Sequence, residues 1–132
     1  MSSLRLEPLE KAISQLEAGI ARAKDNTTDE LLRDGVIQRF EYTIDLAWKF
    51  LQRYLKIDLQ MDETALRSKK DIFREAARLK LIDSAERWIA HYEARNSTSH
   101  DYNQEMANKV YAQALLFLPD VKQLLIELRH AA

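Results

Sequence analysis

The chain has 132 residues and a mass of 15.4 kDa, the size of a single domain with one hydrophobic core. Its 20 Lys and Arg residues against 21 Asp and Glu give a formal charge of −1, so the chain lacks the strong positive field typical of a nonspecific nucleic-acid-binding protein. The absence of cysteine excludes disulfides, thiolate nucleophiles and cysteine-based metal sites. No apolar run is long enough for a membrane span or a secretion signal. We expect one cytoplasmic domain over residues 1–132.

The composition favours helices throughout. Only 2 glycines and 2 prolines interrupt a chain that is 31% charged, which leaves little material for tight hairpins and predicts an all-α fold. A first helix is predicted over 8–24, with apolar residues at helical spacing and a proline in its first turn. The polar stretch DNTTDE then breaks this helix and supplies the N-cap of a second, long helix over about 28–56.

Three further helices follow. Ser68 with Asp71, and Asp83 with Glu86, have the spacing of capping boxes, which places the start of a third helix ending near Lys80 and of a fourth ending near Asn96. A fifth is predicted over about 103–129. It contains Pro119, which removes a backbone hydrogen bond, so we expect a kink or a break near Leu118.

The second helix places a carboxylate at the edge of its apolar side. The predicted buried stripe contains Val36, Ile37, Phe40, Ile44, Ala47, Trp48, Leu51 and Leu55. Glu41 is on the same side as Ile37, Ile44 and Trp48. Either it extends to water at the rim of the core, or it is half buried and requires a partner such as an arginine or a tyrosine.

The fourth helix places an arginine next to its own apolar stripe. Ala85, Trp88, Ile89 and Tyr92 mark that stripe, and Arg95 follows Tyr92 by three positions and Trp88 by seven. Arg95 is therefore expected to point inward or into a cleft. A guanidinium there needs an acceptor, which is either a structural carboxylate or a ligand that carries phosphate.

The stretch ARNSTSHDYN, residues 94–103, follows directly. In an unbroken helix, Arg95 and His100 would point about 140° apart and be separated by about 7.5 Å along the axis. They can share a site only if the helix ends between them, and the residues NSTS favour such an end. Alternatively, the two side chains meet across the interface of a two-fold dimer.

Three segments of the chain resemble the HEPN domains, specifically the nucleotidyltransferase substrate-binding type that is encoded beside small MNT-type nucleotidyltransferases. They are RFEYTIDLAWKFLQRYL (39–55), SKKDIFREAARLKLIDSAERWIAHYEARNSTSHDYN (68–103) and the Leu-Pro pair at 118–119. The SKK entry departs from a Ser-Pro-Arg type of helix start. The resemblance implies a compact four- to five-helix up-and-down bundle that works as a homodimer with a nucleotidyltransferase partner.

The resemblance also implies a chemistry for the ARNSTSHDYN segment. In HEPN ribonucleases the Arg-x4-His pair is implicated in RNA cleavage without a metal or another cofactor, which would make Arg95 and His100 catalytic, with Glu41 and Asn96 in support. In type VII-like toxin–antitoxin pairs, the partner transfers AMP to the tyrosine of the motif, here Tyr102. Imidazole moves protons near neutral pH and arginine binds phosphate, so the residue types suit these roles.

Two alternatives stay open beside the ribonuclease. The protein can be a non-catalytic subunit that binds substrate or nucleotide for a nucleotidyltransferase, or a helical interaction module whose loop is structural. We expect His91 and His130 to be packing or surface residues because neither belongs to a metal-ligand cluster. We assign Trp48, Trp88, Phe40 and Phe117 to the core, with no base-stacking role.

Overall fold

The computed structural model describes residues 5–97 and 103–131, and within these ranges it contains five α-helices and no strand. The predicted all-α class is confirmed. The helices are α1 (Glu7–Lys24), α2 (Glu30–Arg53), α3 (Lys69–Arg78), α4 (Ala85–Ser97) and α5 (Gln104–Ala131). They assemble into a bundle in which α2 is central, because it packs against each of the other four helices.

The core is built from the apolar stripes of these helices. Seven of the eight residues predicted to be buried on α2 are at most 2% exposed, and the exception is Trp48, which is only partly buried. The stripe predicted on α1 is buried as well. Phe40 and Phe117 pack edge to face with ring centroids 5.1 Å apart, and Phe117 meets Trp88 at 5.4 Å, so one aromatic cluster joins α2, α4 and α5.

Side-chain caps define where the helices begin. Asp29 accepts the amide of Leu32 at 3.1 Å, so α2 begins two residues later than predicted. Ser68 accepts the amide of Asp71 at 3.1 Å, as its spacing predicts. The cap of α4 is Ser84, not Asp83, since the Ser84 hydroxyl accepts the amide of Arg87 at 3.2 Å. The helix start at Asp83 was therefore wrong by one residue.

After α2 ends at Arg53, the chain continues as a helical turn that is wider than a regular α-helix. Residues Tyr54–Asp58 form a π-helical turn, in which the amide of Leu59 donates to the carbonyl of Tyr54 at 3.0 Å. The connection then passes through Gln60, whose φ of 51° is left-handed, and a short 3₁₀ helix at Glu63–Ala65. This path brings the start of α3 back beside the second half of α2.

Pro119 does not break α5, which is continuous from Gln104 to Ala131. The expected break near Leu118 was therefore wrong, and only a bend within one helix is compatible with the structure. Proline removes the single amide that would bond to the carbonyl of Leu115. Phe117 and Val121, on either side of it, are completely buried, and their packing holds both halves of the helix against the core.

A polar cluster that is buried only in part joins α4 to α5. Asp120 accepts two hydrogen bonds from Arg87, at 3.1 and 2.8 Å, and one from Nε2 of His91 at 2.7 Å. Gln113 donates its side-chain amide to Nδ1 of His91 at 2.8 Å, which fixes a neutral imidazole with its proton on Nε2. His91 is 1% exposed and packs against Trp88 and Phe117, so its predicted packing role is confirmed. His130 is exposed.

The cluster predicts a pH-dependent stability. Burial lowers the pKa of His91 below its ordinary 6.5 despite the opposing effect of Asp120. As the pH falls below about 6.5, His91 takes up a proton in the unfolded chain but stays neutral in the folded chain. The free energy of unfolding therefore falls as the pH decreases. The slope is at most about 1.4 kcal/mol per pH unit. Urea unfolding between about pH 7.5 and 5.5 measures it. His91→Gln is expected to reduce the slope and the exposed control His130→Gln to keep it; equal slopes in both variants would contradict the assignment.

The two glycines differ in the space available for a side chain. Apart from its chain neighbours and the nearby backbone of α2, a Cβ at Gly35 would meet no atom within 4 Å, whereas one at Gly19 would lie 3.1 Å from Nη1 of Arg39, which donates to the carbonyl of Gln15 at 2.7 Å. Gly35→Ala is therefore expected to raise the free energy of unfolding by about 0.5–1 kcal/mol, and Gly19→Ala by less. Urea unfolding of the two variants checks this. A Gly35→Ala protein less stable than the parent would show that the helix surface there is not open.

Candidate functional site

Arg95 is the centre of the candidate site. It belongs to the last turn of α4, its side chain is 28% exposed, and it points at α2. Nη1 donates to Oε2 of Glu41 at 2.8 Å, while Nε and Nη2 donate to the two carboxylate oxygens of Asp45 at 3.4 and 3.3 Å. Two carboxylates on one helix thus hold the guanidinium of another.

The helix periodicity explains why these three side chains meet. Glu41 and Asp45 are four residues apart, so they lie one above the other on the same face of α2. Ile44 beside them is fully buried, and Trp88 anchors α4 in the same core. The packing of the apolar stripes therefore sets the distance between α2 and α4, and the charged residues meet at the edge of that contact.

The electrostatics of the site restrain the arginine. The hydrogen bond to Asp45 raises the pKa of Arg95 most, burial opposes it, and the charges of Asp45, Glu41 and the nearby Tyr92 raise it further. One guanidinium and two carboxylates carry a formal charge of −1. The two acids orient Arg95, and an incoming phosphate would have to compete with them for its N–H groups.

The structure describes the surroundings of two of the predicted site residues, Glu41 and Asn96. Glu41 is 27% exposed and pairs with Arg95 of the same chain, so the half-buried interpretation is confirmed. Asn96 is exposed and hydrogen bonds to the hydroxyl of Tyr92. His100 and Tyr102 lie outside the described residues, so their approach to Arg95 stays a prediction.

Asp45 is the site residue that the sequence reasoning missed. The signal was present, because an acid four residues after Glu41 must share its face of the helix. Asp45 also stands in the segment 39–55 that carries the family resemblance. Periodicity drew attention to Glu41 at the edge of the apolar stripe and left Asp45 without a role.

Next to the arginine, a lysine and two aromatic rings form a second group. Nζ of Lys69 donates to the hydroxyl of Tyr92 at 2.6 Å and lies 4.5 Å from the ring centroid of Trp48 and 4.7 Å from that of Tyr92. Burial raises the pKa of Tyr92, but the hydrogen bonds with Lys69 and Asn96 and the charge of Lys69 outweigh it, so this pKa is lowered. Trp48 packs against the core, as predicted, but it is only partly buried, and its outer side lines an open cavity.

Two further findings concern the part of the chain that the structure describes. Within 5–97 and 103–131 there is no group of three or more His, Asp or Glu side chains that could hold a metal ion. No helix within those ranges has the length and hydropathy needed to cross a membrane.

The fold and the arginine–carboxylate site define a small all-α bundle with a charged cluster between its second and fourth helices. Residues 4–130 match the family described as "Nucleotidyltransferase substrate binding protein like", and the chain belongs to this HEPN-like family. The resemblance inferred from its three sequence segments is thereby confirmed.

Relatives in two organisms support this assignment. The chain is 36% identical to a protein of Haemophilus influenzae named "Probable ribonuclease HepT", over 96% of this chain and 92% of that one. It is also similar to a solved H. influenzae structure described as having the fold of a substrate binding domain of a nucleotidyltransferase. The TM-score is 0.85 and the identity 36%, over 95% of this chain and 99% of that one. A crystal structure from Thermus thermophilus matches with a TM-score of 0.66 and 29% identity, over 86% and 98%.

Proposed function

We propose that this protein is a metal-independent endoribonuclease of the HEPN type, the toxin of a type VII-like pair with an MNT-type nucleotidyltransferase. The observation that carries the proposal is the position of Arg95. Two carboxylates of α2 hold it in the last turn of α4, directly before the segment that contains His100 and Tyr102. The likeness to a protein named probable ribonuclease supports the same activity.

In the proposed reaction, His100 acts as the acid and base and Arg95 binds the phosphate. The ribose 2′-hydroxyl loses its proton and attacks the adjacent phosphorus. The bond from phosphorus to the 5′-oxygen breaks, and that oxygen takes up a proton. The products are a 2′,3′-cyclic phosphate and a 5′-hydroxyl, and no oxidant, metal or nucleotide cofactor is consumed. Arg95 stabilises the charge that grows on the nonbridging oxygens in the transition state.

The orientation of Arg95 supports its role in this mechanism. Glu41 and Asp45 fix the guanidinium plane before substrate arrives, so less rotamer entropy is lost on binding phosphate. The disadvantage of this arrangement is that the phosphate must compete with the two carboxylates for the N–H groups of Arg95. We further propose a homodimer, in which the second subunit would bring another Arg95 and His100 to the same site.

The proposed regulation acts on Tyr102. The phenol oxygen attacks the α-phosphorus of ATP in the partner enzyme, pyrophosphate leaves, and an aryl phosphodiester to AMP forms. The product carries bulk and a negative charge close to Arg95 and would compete with RNA phosphate for it. This step would convert an active nuclease into an inhibited one.

A second function competes with the first. The same fold can serve as a non-catalytic subunit that binds substrate or nucleotide for a nucleotidyltransferase, as the description of the H. influenzae structure suggests for that protein. The engagement of Arg95 with two carboxylates is compatible with this alternative, because an arginine held by structural acids need not take part in cleavage.

Incubation of the purified protein with cellular RNA separates the two functions. The ribonuclease is expected to cleave RNA in the presence of EDTA and to leave cyclic phosphate and 5′-hydroxyl ends, and its expression without the partner is expected to arrest growth. Intact RNA together with normal growth, from a protein with a helical circular dichroism spectrum, would reject the nuclease and leave the binding subunit.

A further inference from the structure

A cavity of about 510 Å³ opens next to the arginine–carboxylate site, between the second half of α2, the start of α3 and the middle of α4. We name it the Trp48 pocket. Its apolar and aromatic wall is formed by Trp48, Leu66 and Tyr92. This volume lies within the range of small-molecule binding sites.

The rim of the Trp48 pocket is cationic. Arg67, Lys69 and Lys70 line it, and no Asp or Glu is among its described lining residues. Lys69 is held between the two aromatic rings by its hydrogen bond to Tyr92. Arg67 and Lys70 are both exposed to solvent. The positive end of α3, which Ser68 caps, adds to the same potential.

The helices connect this pocket to Arg95. Trp48 follows Asp45 by three residues, a rise of about 4.5 Å along α2. Tyr92 precedes Arg95 by three residues on α4, and the charge of Asp45 acts on the phenol of Tyr92. The pocket and the arginine site therefore occupy neighbouring turns of the same two helices.

The chemistry of the pocket selects one kind of ligand. The partly buried rings of Trp48 and Tyr92 suit a flat heterocycle that packs beside the Lys69 ammonium, and exposed cations at the rim suit phosphate. These cations also supply the positive charge that the arginine site, at −1, lacks. We propose that the Trp48 pocket binds one nucleotide of a single-stranded RNA, with its base against the aromatic wall and its phosphate at Arg67 and Lys70, next to the phosphate at Arg95.

This inference rests on the proposed function for the phosphate at Arg95, but its binding test does not depend on cleavage. The probe is a short fluorescent single-stranded RNA, and the protein is the full chain with His100→Ala, which keeps the RNA intact. Lys70→Gln in that chain is expected to weaken binding and to reduce the slope of log K against log salt by about 0.7, the value for one lost phosphate contact. Trp48→Leu is expected to weaken binding about tenfold.

Lys24→Gln is the matched control. It removes the same charge from an exposed lysine that precedes the start of α2, whereas the pocket lies near the end of that helix. The proposal would be overturned by two results together. The first is an equal salt slope of RNA binding for Lys70→Gln and Lys24→Gln. The second is an unchanged RNA affinity of a Trp48→Leu protein whose circular dichroism spectrum is native. A pocket that binds AMP, by quenching of tryptophan fluorescence, but leaves RNA affinity independent of Lys70 would also overturn it, because the nucleotide would then be free and not part of RNA.

Cleavage assays separate the failure of this inference from that of the proposed function. If the wild-type chain cleaves no RNA while Lys70→Gln lowers the salt slope of binding, the pocket stands and the nuclease fails. If the wild-type chain cleaves RNA and Lys70→Gln has the same KM as Lys24→Gln at every salt concentration, the nuclease function is supported and the proposed role of the Trp48 pocket is rejected.

Discussion

Replacing His100 by alanine is expected to lower the rate of RNA cleavage by about 10²–10⁴-fold, the usual contribution of a general acid–base group. The reason is that the 2′-hydroxyl would lose its base and the 5′-oxygen its acid, while Arg95 and the binding surface stay in place. Single-turnover cleavage of a defined RNA measures this loss independently of product release. His130→Ala, which removes an exposed histidine at the far end of α5, is the matched control and is expected to cleave at the parental rate.

Arg95 needs a different comparison, because its ion pairs give it a structural role as well. Arg95→Ala leaves Glu41 and Asp45 without their cation, so a lower activity could reflect a distorted helix contact. The triple variant Arg95→Ala, Glu41→Gln, Asp45→Asn removes both carboxylate charges. We expect it to recover stability toward urea but not RNA cleavage. Recovery of cleavage would show that Arg95 only neutralises the two acids.

Two results would contradict the nuclease assignment of His100. One is a His100→Ala protein that cleaves at the parental rate. The other is a loss of activity that coincides with loss of the helical circular dichroism spectrum, provided that the conservative His100→Gln variant stays folded and fully active.

The helices could be predicted from the sequence because their signals are local. The spacing of Leu9, Leu16 and Ile20 fixes a buried face of α1, and the Ser68 hydroxyl needs only a nearby amide to start α3. Pro119 shows the limit of such signals. A lost hydrogen bond is a local cost, whereas the burial of Phe117 and Val121 that outweighs it depends on the rest of the fold.

The candidate site was predictable only in part for the same reason. Periodicity places Glu41 and Arg95 at the edges of their stripes, which is why a partner for each could be expected. Which acid reaches the guanidinium depends on how α2 and α4 pack, and the structure adds Asp45 to Glu41. Trp48 fits a core pattern equally well, and only the position of α3 leaves it beside Lys69 at an open cavity.

Incubation with the partner nucleotidyltransferase and ATP is expected to add one or more AMP units to the chain, and Tyr102→Phe is expected to abolish that gain. Phenylalanine keeps the ring but lacks the oxygen that forms the phosphodiester. Intact-protein mass spectrometry measures the gain. RNA cleavage by the modified protein is expected to fall with the modified fraction, because the added phosphate competes for Arg95.

Tyr42 offers a matched control for this second prediction. It is 58% exposed on α2, so Tyr42→Phe removes an accessible phenol of the same chemistry at a different place. The Tyr42→Phe protein should gain AMP as the parent does, since the transfer depends on the surroundings of the motif and not on exposure alone. If the gain survives Tyr102→Phe, the acceptor is another residue. If Tyr102 is modified but RNA cleavage persists in full, the modification does not reach the phosphate site, and inhibition by AMP at this segment must be abandoned.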